Sequence, residues 1–87
     1  MAMFSSEQYK TDKEPVQVLS KLEDLRVDKW RYKGDEDFHI GPYAEEFKEL
    51  FGIGDGVSIN VIDALGVCMA AIKELSAKVK LQESYNG

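Results

Sequence analysis

Three groupings in this 87-residue chain carry side chains that could do chemistry. The first is Ser5 with Lys10. A serine hydroxyl becomes a nucleophile when a nearby neutral amine takes its proton, and a desolvated lysine can supply that amine. A separation of five is uninformative by itself, because polar terminal segments show it often. On residues alone, the pair reads as two ordinary polar side chains. The second grouping is Asp35-Glu36-Asp37 with His39. Carboxylates and imidazole are metal ligands, but the calcium-loop spacing is missing. The run reads as a solvated hairpin tip, and His39, between Phe38 and Ile40, as a structural histidine with a satisfied ring. The third grouping is Gly52-Ile53-Gly54-Asp55-Gly56. It follows a helical stretch and fits neither the dinucleotide nor the P-loop spacing. Gly52 as a helix C-cap, with the others as turn residues, accounts for it. Trp30 and Tyr32 read as core and sheet, since no basic stripe makes them a stacking platform.

The elements that position these residues follow from periodicity. Val16, Leu19, Leu22 and Leu25 recur at helical spacing, which predicts a short helix over 16–25 with Pro15 at its first turn. Val27, Trp30 and Tyr32 form an imperfect strand pattern, and Lys33-Gly34-Asp35-Glu36 is a turn signal. Residues 38–40 are the returning strand of a hairpin. Gly41 breaks it, and Pro42 is placed at the first position of the next helix. Glu45 and Glu46 suit that helix's N-terminal dipole, and Tyr43, Phe47, Leu50 and Phe51 form its apolar stripe.

A long helix is predicted from about Asn60 to Glu83. Leu65, Ile72 and Val79 recur every seven residues, and Cys68, Leu75 and Gln82 do the same, offset by three. This is an a/d seam over two to three heptads, and it breaks down at Gln82. A helix packed within its own domain explains the pattern about as well. Gly66 and Ala70-Ala71 favour close helix approach with either partner.

Composition narrows the function classes. Hydrophobic residues make up 44% and charged residues 31%, the balance of a folded domain. A net charge of −5 and a pI near 4.8 argue against nucleic-acid and anionic-membrane partners. One cysteine and one histidine exclude an internal disulfide framework and leave few metal ligands; no cofactor is expected. A chain this small has a marginal core, so self-association is the remaining route to stability. Residues 1–4 read as a remnant of an upstream segment or an expression start. They lack a signal peptide's basic and apolar regions. Residues 83–87 read as a frayed tail.

The landmarks together resemble a known family. They run from Ser5-x-x-x-x-Lys10 through Trp30-Arg31-Tyr32-Lys33 to His39-Ile40-Gly41-Pro42-Tyr43-Ala44-Glu45-Glu46-Phe47. Phe51-Gly52-Ile53-Gly54, Ile62-Asp63-Ala64-Leu65-Gly66-Val67 and Ala70-Ala71-Ile72-Lys73-Glu74-Leu75 complete them. The chain over residues 5–82 resembles the C-terminal intramolecular chaperone domain of phage endosialidases, tail fibres and tail spikes, the peptidase S74 type. Ser6 stands where that family usually has Asp, and Tyr9 where it commonly has Leu.

The resemblance implies an α+β domain: a small hairpin or sheet, short helices, and a long C-terminal helix forming a trimeric coiled coil. It implies a chaperone that helps an upstream β-rich fibre or spike to trimerise, then releases itself by cutting before a serine. Carried over by position, Ser5 is the nucleophile, Lys10 the base and Phe4–Ser5 the scissile bond. His39 matches a histidine that supports assembly or the site. A virion tail or bacterial cell surface is the implied location. Lys13 would crowd Lys10 with positive charge, whereas Glu7, Asp12 and Glu14 would act oppositely. A trimerisation module that does not cleave is the alternative, and a helical partner-binding module a third reading.

Overall fold

The structure is a computed structural model describing residues 4–86, with the backbone alone at Asn86. Residues 1–3 of the segment read as a remnant or start, and Gly87 of the tail, lie outside the described residues. A 3-10 turn at Glu7–Tyr9 is followed by α1 (Leu19–Asp24), β1 (Asp28–Arg31), β2 (Phe38–Gly41), α2 (Ala44–Phe51) and α3 (Val61–Asn86). The class is α+β with one two-stranded sheet.

Helix α1 is shorter than the pattern predicts. Pro15, Val16 and Gln17 lie outside it, and Val18 is its N-cap. Helix α2 also begins later, with Tyr43 as its extended N-cap, so Pro42 precedes the helix instead of opening it. At its other end Gly52 adopts φ 71°, the left-handed C-cap that glycine enters without Cβ strain. Asn60 starts α3, its Oδ1 accepting the N–H groups of Ile62 (2.8 Å) and Asp63 (3.1 Å). The helix continues past Glu83 to Asn86.

Strands β1 and β2 pair antiparallel, with Trp30 opposite His39 and Arg31 opposite Phe38. The turn closes through Asp35 N–H to the Tyr32 carbonyl, 3.0 Å, with Gly34 at φ 84°. The indole N–H of Trp30 donates to the Gly41 carbonyl, 3.2 Å.

The core is small: Val18, Leu25, Phe47, Val67 and Ala71, flanked by Leu19, Leu22, Leu50, Phe51, Ile59, Ala64 and Ala70. It lies where α1 meets α2 and α3. Trp30 and Tyr32, expected in the core, are not part of it. The hairpin packs chiefly on itself, which leaves Trp30 half-buried and Tyr32 exposed. Ala70 and Ala71 serve this domain's own packing, whereas Gly66 is exposed with open space beside it.

The chain is extended for its size. Its radius of gyration is 16.2 Å, against roughly 12 Å for a compact domain of this length. Its accessible surface is 7723 Å², about half as much again as the roughly 5,200 Å² of a compact monomer of this mass.

Candidate functional site

Residues 6–9 form a tight turn that doubles the N-terminal segment back on itself. Tyr9 N–H donates to the Ser6 carbonyl at 3.1 Å, and Lys10 N–H to that of Glu7 at 3.0 Å. The turn brings the first sequence-selected pair together: Lys10 Nζ lies 2.9 Å from Ser5 Oγ. This is an ordinary hydrogen-bond distance, with Nζ donating to the hydroxyl oxygen; the same separation meets the geometric requirement for a serine activated by a base. Phe4, on the other side of the Phe4–Ser5 bond, packs edge-to-face with Tyr9 at a centroid distance of 5.8 Å.

Of the charges weighed around Lys10, two neutralise each other. Lys13 is paired with Glu7 at 3.0 Å, so its charge is matched by a carboxylate. Every residue from Phe4 to Gln17 is exposed, so the body of this chain does not desolvate the pair. Beyond Lys10 the segment stays irregular, passing through Asp12 at φ 52°, to Val18, the first buried residue.

His39 lies elsewhere, on β2. Its ring packs on Trp30, centroids 5.2 Å apart, and meets the edge of Tyr32 at 5.5 Å. Among the described residues the ring makes no hydrogen bond. Stacking therefore replaces the hydrogen-bonded anchor expected from sequence, because the antiparallel register sets His39 directly opposite an indole. An open groove of about 760 Å³ borders this aromatic face; Trp30, Tyr32, His39, Leu65 and Cys68 are among its lining residues.

On α3 the two candidate faces separate. Val67 and Ala71 are buried against α1, while the a/d residues point away from the core. Leu65, Ile72, Leu75 and Val79 remain 49%, 66%, 51% and 44% exposed, and Cys68 is exposed too.

Several fastenings have no sequence pattern. Glu46 accepts the Arg26 backbone N–H and pairs with its guanidinium, which holds the Glu46 carboxyl below the usual range. The Arg26 guanidinium stacks 4.5 Å from the centroid of the Tyr43 ring. The Tyr43 hydroxyl donates to Asp28 at 2.8 Å, which raises its pKa. Asp55 accepts the N–H groups of Ser58 and Val57, each at 2.8 Å, which lowers its pKa and rigidifies the glycine loop. Glu74 accepts the N–H groups of Val18 and Leu19, each at 2.8 Å, across more than fifty residues of sequence. Among the described residues no helix is long and apolar enough to cross a membrane.

The chain is 32% identical over 77 residues to heat shock 70 kDa proteins 14 and 15 of Arabidopsis thaliana. Each alignment covers 78% of this chain and 9% of the plant protein. The chain thus spans about a tenth of the length of these relatives. No solved structure matches it. The family model for Peptidase S74, chaperone of endosialidase, matches residues 5–52, the stretch holding the Ser5–Lys10 turn, the hairpin and α2. The chain belongs to the peptidase S74 family, the chaperone of endosialidase.

Proposed function

We propose that this chain is an intramolecular chaperone domain that trimerises through α3, aligns an upstream fibre or spike segment, and then releases itself at Phe4–Ser5. The observation that carries this reading is the uncovered a/d seam of α3. One face of the helix already serves the core, yet a second apolar stripe from Leu65 to Val79 faces water. Monomers rarely leave such a stripe uncovered without a partner. The excess accessible surface supports the same reading, since obligate interfaces commonly bury more than 2,000 Å². The groove beside His39 shares Leu65 and Cys68 with the seam, so a second helix seated there would cover the aromatic face. His39 then supports assembly instead of touching the scissile bond.

The chemical step uses the 2.9 Å pair. Ser5 Oγ attacks the Phe4 carbonyl carbon, and its proton passes to a neutral Lys10 amine. The C–N bond breaks, its nitrogen takes a proton and becomes the new N-terminus at Ser5, and water hydrolyses the remaining ester. A lysine with an ordinary pKa near 10.4 stays charged at neutral pH, so this step requires desolvation. In this reading neighbouring copies or the upstream segment provide it. A virion tail or bacterial cell surface suits such a domain.

The test joins the chain to its native upstream segment and follows mass by light scattering and mass spectrometry. An assembled trimer releasing a fragment that begins at Ser5, with Ser5→Ala and Lys10→Ala intact, supports the reading. If the assembled wild type stays intact, the alternative of a trimerisation module without cleavage takes its place.

A further inference from the structure

The segment carrying Ser5 and Lys10 is attached to the body at one defined place. Residues 4–17 are exposed, and Val18 is the first buried residue. Val18 is also the N-cap of α1, where an apolar side chain has nothing to offer the helix's free N–H groups. The Glu74 carboxylate supplies the missing acceptor. A single oxygen, Oε2, takes both the Val18 and the Leu19 N–H at 2.8 Å. Glu74 stands on α3 beside the seam residue Leu75, on the turn after the buried Ala71.

Resting on the proposed function above, we propose that Glu74 is a positioning residue. It fixes where the Ser5–Lys10 segment leaves α3, and so sets the dyad at one place relative to the assembled seam. Val18 is thirteen positions on from Ser5, and Leu22, the first residue packed on the core beyond the two Glu74-bound positions Val18 and Leu19, is seventeen. Lengthening the tether from one anchor to the other dilutes its end only about 1.5-fold by the −3/2 power law. A larger rate loss on removing Glu74 therefore reports lost orientation, because a misplacement near 1 Å can cost on the order of a hundredfold. Acceptance through one oxygen also separates geometry from charge. Glutamine retains a carbonyl oxygen at that position, while alanine retains none.

The experiment measures self-release in the assembled full-length protein carrying this domain. Glu74→Ala should slow release at least ~10-fold while the assembled mass holds. Glu74→Gln should stay within ~3-fold of wild type, since the acceptor is kept. Release by Glu74→Ala within twofold of wild type overturns the proposal. So does Glu74→Gln failing as badly as Glu74→Ala, which would assign the effect to charge. Spin labels at Gln17→Cys and Lys80→Cys in a Cys68→Ser background test positioning independently of the chemistry. Their distance distribution should broaden in Glu74→Ala, and an unchanged distribution refutes positioning. Wild type that assembles without release sinks the cleavage reading alone; the labels still decide the role of Glu74.

Discussion

Replacing Ile72 by alanine should separate assembly from folding. Ile72 is 66% exposed in the single chain, so little of its apolar surface contributes to the domain's own stability. The substitution removes three carbons, worth about 0.8 kcal/mol each when fully buried. If seam closure covers the exposed two-thirds, the loss is roughly 1.5 kcal/mol per copy and about 5 kcal/mol for three copies. That corresponds to a weakening of the trimer association constant by about three orders of magnitude. The single helix should not suffer, because alanine is the better helix former. Sedimentation velocity over a micromolar concentration series should show wild type as a trimer and Ile72→Ala dissociating. Circular dichroism of the dissociated variant should retain the helix. Ile72→Asp should dissociate at every concentration tested, since it sets an unpaired charge in each seam. A monomeric wild type at micromolar concentration, or unchanged association of Ile72→Ala, would refute the seam argument.

Two further outcomes are expected. His39→Ala should lower the melting temperature more than Glu83→Ala. It removes ring contacts with Trp30 and Tyr32, of order 1 kcal/mol, while Glu83 is exposed near the end of α3; equal melting temperatures for the two variants would contradict this. Asp55 has its carboxyl pKa lowered by the Ser58 and Val57 N–H groups, so its contribution is present above the ordinary carboxylate range. That contribution fades as pH falls through the lowered folded value, and amide exchange at Val57 and Ser58 should speed up there in wild type but show no such pH step in Asp55→Asn.

Much of the backbone was readable from residue order. The returning strand at 38–40, the glycine cap at Gly52 and the long C-terminal helix appear within a residue or a turn of their expected places. These features depend on contacts a few residues apart: a turn needs Gly34, a helix end needs Gly52, and α3 needs its apolar periodicity. The start of α1 depends on a different scale. Val16 fits the helical spacing of Leu19, Leu22 and Leu25, but the helix begins only at Leu19, where Glu74 caps it from another element. His39 shows the same limit. Between Phe38 and Ile40 it reads as a structural histidine with a satisfied ring, whereas strand register brings Trp30 against it.

The sequence by itself determined the element types, the existence of a heptad stripe and the presence of a serine five residues before a lysine. Local periodicity, glycine conformations and residue identity are encoded one window at a time. Only the tertiary structure decided which face of α3 the core takes, because that choice depends on where α1 packs. Once Val67 and Ala71 are committed to the core, Leu65, Ile72, Leu75 and Val79 are left outward. The 2.9 Å approach of Lys10 to Ser5 likewise needed the fold of residues 6–9, since a spacing of five does not close a pair unless the backbone turns.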